Sequence, residues 1–364
     1  MPEVDRVMRR ALDDGVFPGA VLLVGRGENV LFHAAYGDAN RFTGEPMTPG
    51  TVFDLASLTK PLATTLAVMR LHQQGRLDAG QRLASVLPAF EGSDKGGVTI
   101  AQLLSHTSGL PDYRPFYLEL AAQPIPERKK VLRARLVQEA LLCAPGERML
   151  YSDLDFMILE WVVEAVSGRR LDRFVGEEVH APLGAADSLF FIDLSRPAPA
   201  HRFAATEQCT WRGRLIEAEV HDENAHALGG VAGHAGLFGT AEGVHRVLSE
   251  MLNAYHREDG GRLFGCRTVH RFFQRLPGTD KALGFDMPAP VNPSCGRFFP
   301  PTSIGHLGFT GTSFWVHLEQ SVAVILLTNR VHPNRANIAI RGFRPVIHDA
   351  VMEAVGPSSH AAAP

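Results

Sequence analysis

Strand-like runs lie at both ends of this chain, and a helix-like stretch lies between them. Residues 19–25 and 29–36 are apolar, β-branched runs split by Arg26-Gly27-Glu28, the pattern of a hairpin. Residues 303–307, 312–318 and 322–328 repeat that pattern near the other end. Helical spacing instead marks 61–74, with Gly75 as its stop, then 98–104, 128–142 and 154–166, the last closed by Gly168. An amphipathic helix is expected at 3–15 and a closing helix at 337–355. The simplest architecture is an antiparallel sheet built from both chain ends, with helices packed on it and a helical region inserted. No internal repeat is present, and the tail from Gly356 onward is expected to be mobile.

At 364 residues and 45% hydrophobic, the chain can bury a full core as one large or two interleaved domains. Charged residues make up 21% and the formal net charge is -3, without a Lys/Arg block, so nucleic acid is not an expected partner. The pairs Arg9-Arg10, Lys129-Lys130 and Arg169-Arg170 read as solvated helix faces. The opening residues are polar, without the basic-then-apolar pattern of a signal peptide, and no apolar run reaches the length of a membrane span. The expected location is the cytoplasm. Cys143, Cys209, Cys266 and Cys295 are far apart and form no CxxC pair, so they read as ordinary reduced thiols.

Three short patterns carry chemistry. In Ser57-Leu58-Thr59-Lys60, positions i and i+3 share a helix face, so Lys60 can reach the Ser57 hydroxyl, a poor nucleophile without a base. Pro61 fits only a first helical turn, which places Ser57 at a helix N-terminus, where free N–H groups favour an oxyanion. Alone, this pattern recurs by chance. Tyr151-Ser152-Asp153 precedes the helix at 154. A tyrosine beside an ammonium can serve as a general base, or these residues can simply cap and pack a helix start. Gly305-His306-Leu307-Gly308-Phe309-Thr310-Gly311-Thr312 leads into a strand. It can bring backbone N–H groups close to a ligand, or merely turn the chain.

In this order and approximate spacing, Ser57-x-x-Lys60, Tyr151-x-Asp153 and His306-x-Gly308 resemble the motifs of the penicillin-recognising serine hydrolases. The likeness is to class C β-lactamases, family VIII esterases and D,D-peptidase-like proteins. Three further stretches support it: Leu103-Leu104-Ser105-His106-Thr107-Ser108-Gly109-Leu110, the glycine-rich run from Gly229 to Phe238, and Leu327-Thr328-Asn329. The resemblance covers about residues 5–355. It implies an α+β, β-lactamase/transpeptidase-like fold. Residues 1–80 plus 240–364 would form an α/β domain, 81–239 a mainly helical domain, with a catalytic groove between them. It makes Ser57 the nucleophile, Lys60 its partner and Tyr151 the proton shuttle, with the N–H groups of Ser57 and Phe309 as the oxyanion hole.

Two positions depart from the commonest family pattern. Asp153 stands where Asn is usual, and His306 stands where β-lactamases and transpeptidases carry Lys. An ionised Asp153 only accepts hydrogen bonds and favours a charged Lys60, which shifts the base duty toward Tyr151. His306 lacks the fixed charge of a lysine, so carboxylate-bearing substrates lose a partner unless another cation, such as Arg330, replaces it. The expectation is a serine hydrolase acting on small acyl esters, without cofactor or metal. The alternatives are a β-lactamase or D-alanyl-D-alanine carboxypeptidase, and a non-catalytic binding protein on the same scaffold. The expected partner is a small-molecule ester or amide; the sequence does not fix the oligomeric state. His221, Asp222, Glu223, His226 and His234 could suggest a metal site, but their spacing is not HExxH and they read as structural. His106 reads as part of a structural turn.

Overall fold

The computed structural model describes residues 1–356. The tail beyond Gly356 that was expected to be mobile lies outside the described residues. Helix α1 (Pro2–Asp13) leads into strands β1 (Gly19–Arg26), β2 (Asn29–Asn40) and the short β3 (Glu45–Pro46). The other end supplies β4 (Ile304–Leu307), β5 (Ser313–His317) and β6 (Val322–Thr328). They form one antiparallel sheet in the order β3-β2-β1-β6-β5-β4. The two ends of the chain meet along β1 and β6, in register from Ala20 opposite Thr328 to Arg26 opposite Val322.

β1 is apolar without alternation because both of its faces are covered. Ala20, Leu22 and Val24 pack with Val4 and Met8 of α1 and with Phe343, Ile347 and Val351 of the closing helix α5 (Ile340–Val355). Val21 and Leu23 face the larger core, which includes α4 (Ala241–His256) and the helical middle, α2 (Leu66–Gln73) and α3 (Asp153–Ser167). Each fully buried aliphatic side chain contributes about 1.5–3 kcal/mol, so the sheet is fixed from both sides.

Some expected boundaries shift, each for a local reason. The helix expected at 128–142 spans Ile125–Gln138, with Pro126 in its first turn. It ends where Glu139 turns extended and gives its carbonyl to the Lys95 ammonium. The helix expected from 61 begins earlier and irregularly. A 3₁₀ turn, Ala56–Leu58, runs into a wide π-type turn, Lys60–Thr65, before α2, because Pro61 has no N–H to give to the preceding turn. Thr99 caps Ile100–Leu104 through a reciprocal box with Gln102, which leaves Val98 outside the helix. Residue 337 also stays outside α5. The Asn337 side chain donates to the carbonyls of Gly15 and Val16 and accepts from Ala339 N–H.

A small second sheet was not expected. Phe53–Asp54, Leu237–Gly239 and Leu189–Phe191 pair antiparallel, so the glycine-rich run ends as a strand beside the segment that leads to Ser57. The four cysteines are free thiols. Among the described residues, no helix is long and apolar enough to cross a membrane.

Candidate active site

The turn that carries Ser57 is held in an uncommon shape. Ala56 has φ +48°, a left-handed conformation that costs a non-glycine residue about 1–2 kcal/mol. Buried Asp54 holds it, accepting from Ala56 N–H at 2.8 Å and from His221 N–H at 2.6 Å. Thr59 closes the turn by donating to Ala56 O at 2.6 Å and accepting from Leu237 N–H at 3.0 Å. The small sheet therefore clamps the turn from one side.

Lys60 is fully buried, and its ammonium uses all three donors: Ser57 Oγ at 3.1 Å, Asp153 Oδ1 at 2.7 Å and His234 O at 3.2 Å. Burial opposes its charge, but Asp153 and then Tyr151 outweigh that, and its pKa lies above the ordinary lysine value. Tyr151 lies beside it, with the ammonium 4.9 Å from the ring centroid. Burial pushes the Tyr151 hydroxyl up, Lys60 pulls it down and Asp153 pushes it up again, for a net rise above 10. In the resting site at neutral pH, both Lys60 and Tyr151 hold their protons. Lys60 does not pull Tyr151 to phenolate, because burial and Asp153 act against it.

Asp153 opens α3, whose N-cap is Ser152. His106 backs Tyr151, ring centroids 4.5 Å apart. Its Nδ1 accepts from Ser152 N–H at 3.1 Å and lies 3.0 Å from Asp155 Oδ2. Burial raises Asp155 well above the carboxylate range and lowers His106 well below the imidazole range. Both shifts oppose charge on the pair. His106 is thus more than a turn residue, because it carries the face on which Tyr151 rests.

The turn after β4 comes over Ser57. Thr310 Oγ donates to Asp54 O at 2.8 Å and Thr312 Oγ to Leu55 O at 3.0 Å. A Cβ on Gly308 would lie 2.0 Å from Thr312 Oγ1 and 2.8 Å from Leu55 O, so this approach needs glycine. Phe309 N–H has no protein acceptor among the described residues. The Phe309 carbonyl accepts from Arg330, whose guanidinium also stacks 4.6 Å from the phenyl centroid and donates to Arg335 O and Asn337 O. Arg330 is therefore committed to Phe309 and its neighbours, and does not stand in for the missing lysine. His306 is buried, its ring 6.2 Å from that of Tyr151. Nδ1 donates to Leu307 O at 2.9 Å, and burial lowers its pKa to about 4, so it is neutral.

The three histidines that suggested a metal do not share a site. His221 pairs with Glu207 at 2.9 Å, His234 with Asp222 at 2.9 Å, and His226 lies 3.7 Å from Glu219. A different group does converge: donor atoms of Asp153, Asp222 and His234 lie within 4.8 Å of one another. Asp153 is already matched there by the Lys60 ammonium. Burial opposes charge on His234, but Asp222 outweighs it and raises its pKa, which favours charge on His234 beside the Lys60–Asp153 pair.

One ionic pair escaped the sequence reading. Lys281 and Asp286 face each other across a tight turn, Nζ to Oδ1 at 2.5 Å, and Asp286 pairs through its backbone with Gly305 of β4. The Lys281 ammonium lies 5.9 Å from the Tyr151 ring centroid. Lys281-Ala282-Leu283-Gly284-Phe285-Asp286 has no periodicity that marks it, and only the added pairing at the sheet edge brings it to the site.

A β-lactamase family model matches residues 4–344. A protein of Escherichia coli (strain K12) named as a D-alanyl-D-alanine carboxypeptidase is 30% identical over 360 residues, covering 91% of this chain and 82% of the relative. An N-acetylmuramyl-L-alanine amidase of Bacillus subtilis (strain 168) is 31% identical over 362 residues, covering 91% and 81%. Among solved structures, EstCE1, described as a hydrolase with promiscuous acyltransferase activity, superposes with a TM-score of 0.72 at 24% identity, covering 94% of this chain and 98% of that one. An octameric penicillin-binding protein homologue from Pyrococcus abyssi gives 0.71 at 18% identity, covering 95% and 77%.

Proposed function

We propose that this chain, which belongs to the β-lactamase family and is a serine hydrolase, acts through an acyl-enzyme on Ser57 and prefers small, uncharged acyl esters. We place the groove between residues 1–80 with 240 onward, which supply Ser57, Lys60, His306 and Phe309, and residues 81–239, which supply Tyr151 and Asp153. In the minor form in which the Lys60–Tyr151 pair has already lost one proton, the nucleophile gives its own proton to that pair as Oγ attacks the ester carbonyl. The oxyanion forms between the N–H groups of Ser57 and Phe309. Tyr151 then passes a proton to the departing alkoxide, and water reverses the sequence through the same groups.

The preference rests on one observation: both lysines of the site, and His234, each have a carboxylate of their own. Lys60 has Asp153, Lys281 has Asp286, and His234 has Asp222. His306 is neutral. Arg330 has no carboxylate partner among the described residues, but its guanidinium is turned to the carbonyls of Phe309, Arg335 and Asn337 rather than to a substrate carboxylate. The test compares kcat/KM for p-nitrophenyl butyrate with that for a chromogenic cephalosporin. Cephalosporin turnover at about 10⁴–10⁸ M⁻¹s⁻¹ with a far slower ester would overturn the preference.

A second reading, D-alanyl-D-alanine carboxypeptidase, draws on the Escherichia coli relative of that name. It calls for release of D-alanine from a D-alanyl-D-alanine peptide faster than hydrolysis of any ester.

A further inference from the structure

We propose that Lys281 reads the leaving group, selecting esters whose alcohol carries a neutral hydroxyl or ether oxygen. This rests on the acyl-enzyme reading above and adds the substrate class on the alcohol side.

The two lysines beside Tyr151 differ in how their donors are used. Lys60 spends all three on Ser57, Asp153 and His234 O. Lys281 has one hydrogen bond to protein, to Asp286 Oδ1, and Asp280 stands off at 3.8 Å. Its side chain is only 10% exposed. Two N–H groups of a nearly buried ammonium thus have no protein acceptor among the described residues. Buried donors are normally satisfied, and an unmet one costs about 1–3 kcal/mol.

Position decides what meets them. Tyr151 is the group that protonates the departing alkoxide, and the Lys281 ammonium lies 5.9 Å from its ring, next to β4. Anything bonded to Lys281 while the ester sits on Ser57 therefore belongs to the alcohol. Charge decides the kind of acceptor. Asp286 is only partly exposed, and Lys281 holds its carboxyl down at about 2 against the push of burial. The pair is neutral as a whole, so a carboxylate on the alcohol gains the hydrogen bond but also meets Asp286. A hydroxyl or ether oxygen, as in glycol, glycerol or sugar esters, gains the bond without that repulsion.

The experiment holds the acyl group constant as butyryl and varies the alcohol: n-butyl, 2-methoxyethyl and carboxymethyl. Each kcat/KM is divided by the hydroxide rate of the same ester. The 2-methoxyethyl ester is expected to exceed n-butyl by about 10- to 100-fold, the worth of a hydrogen bond to a charged group, with carboxymethyl below it. In Lys281→Met combined with Asp286→Asn, which removes the pair without stranding a buried charge, the methoxyethyl-to-butyl ratio falls to about one. Asp286→Asn alone lifts carboxymethyl above methoxyethyl. A ratio near one in the wild type, or a ratio that survives in the double variant, overturns the proposal. Ser57 labelling rates with phosphonates bearing the n-butoxy or 2-methoxyethoxy leaving group read the same ratio without ester turnover. Failure of ester hydrolysis as a function is thereby told apart from failure of Lys281 as the selector. Labelling of the double variant by the n-butoxy phosphonate also reports that it is folded.

Discussion

Asp153 Oδ1 lies 2.7 Å from the Lys60 ammonium, and the same ammonium lies 3.1 Å from the Ser57 hydroxyl. The proposed nucleophile's neighbour is therefore a lysine held in its charged form. A base that holds its proton tightly is a poor base at neutral pH, so proton removal from Ser57 becomes the pH-sensitive step.

The first prediction follows from that sign. Lys60 and Tyr151 are both raised above their ordinary values, so the form able to accept a proton appears only as pH rises. Wild-type kcat/KM for a butyrate ester should climb from neutral into alkaline pH, about tenfold per unit on the limb. Asp153 raises both groups. Asp153→Asn should move the limb to lower pH by about 1–3 units, the usual effect of a neighbouring carboxylate. The variant should be faster at neutral pH and should converge with wild type at the alkaline end. A limb that does not move would mean that neither group supplies the base.

Lys60 and Tyr151 should also fail together. Lys60→Met and Tyr151→Phe are each expected to lower kcat by about 10²–10⁴-fold. The double variant should lose little more than the worse single, because both groups act on one proton. Additive losses, measured with one ester at one pH, would show two separate duties. Ser57→Ala should abolish both turnover and phosphonate labelling.

Much of this site is legible in the sequence because its elements are local. Ser57 and Lys60 are one turn apart, Tyr151 and Asp153 flank a cap, and His306 to Phe309 share one turn. The terminal strands are legible because their apolar runs are bounded by turn residues. What stays hidden depends on long-range pairing. Lys281 reaches Tyr151 only because Asp286 pairs with Gly305, and nothing in its own segment announces that. Asp54 is an ordinary acidic residue until His221 and Ala56 point their N–H groups at it. Arg330 reads from sequence as a spare cation, and only its contacts with Phe309 tie it to the backbone.

Those contacts give the third prediction. Arg330 fixes the Phe309 carbonyl, and through that peptide segment it orients the adjacent N–H proposed for the oxyanion. Arg330→Met should lower kcat for a neutral ester by about 10-fold or more with little change in KM. That is less than the 10²–10³-fold for deleting an oxyanion donor outright, because the N–H is loosened rather than lost. Were Arg330 instead a carboxylate receptor, its loss would raise KM for carboxylate-bearing substrates and leave neutral esters alone. Steady-state kinetics on one ester of each kind separates the two.

Gly308 is the position where stability and catalysis should respond together. A Cβ there would meet the Thr312 hydroxyl at 2.0 Å and Leu55 O at 2.8 Å. Thr312 Oγ itself donates to Leu55 O, so the side chain cannot swing away without breaking the stitch between this turn and the segment before Ser57. Gly308 N–H also donates to Thr312 O at 2.7 Å, which closes the turn from within. Gly308→Ala should therefore cost about 1–3 kcal/mol, the usual range for overpacking a filled site, read as a lower Tm or denaturant midpoint. It should also lift Phe309 away from Ser57 and reduce kcat. Gly308→Ala/Thr312→Ala removes the nearer clash but also the stitch. The pair should regain part of the lost stability and little of the lost activity. Full recovery of turnover in the pair would mean that the turn needs only room, and that its tie to Leu55 does not place the Phe309 N–H.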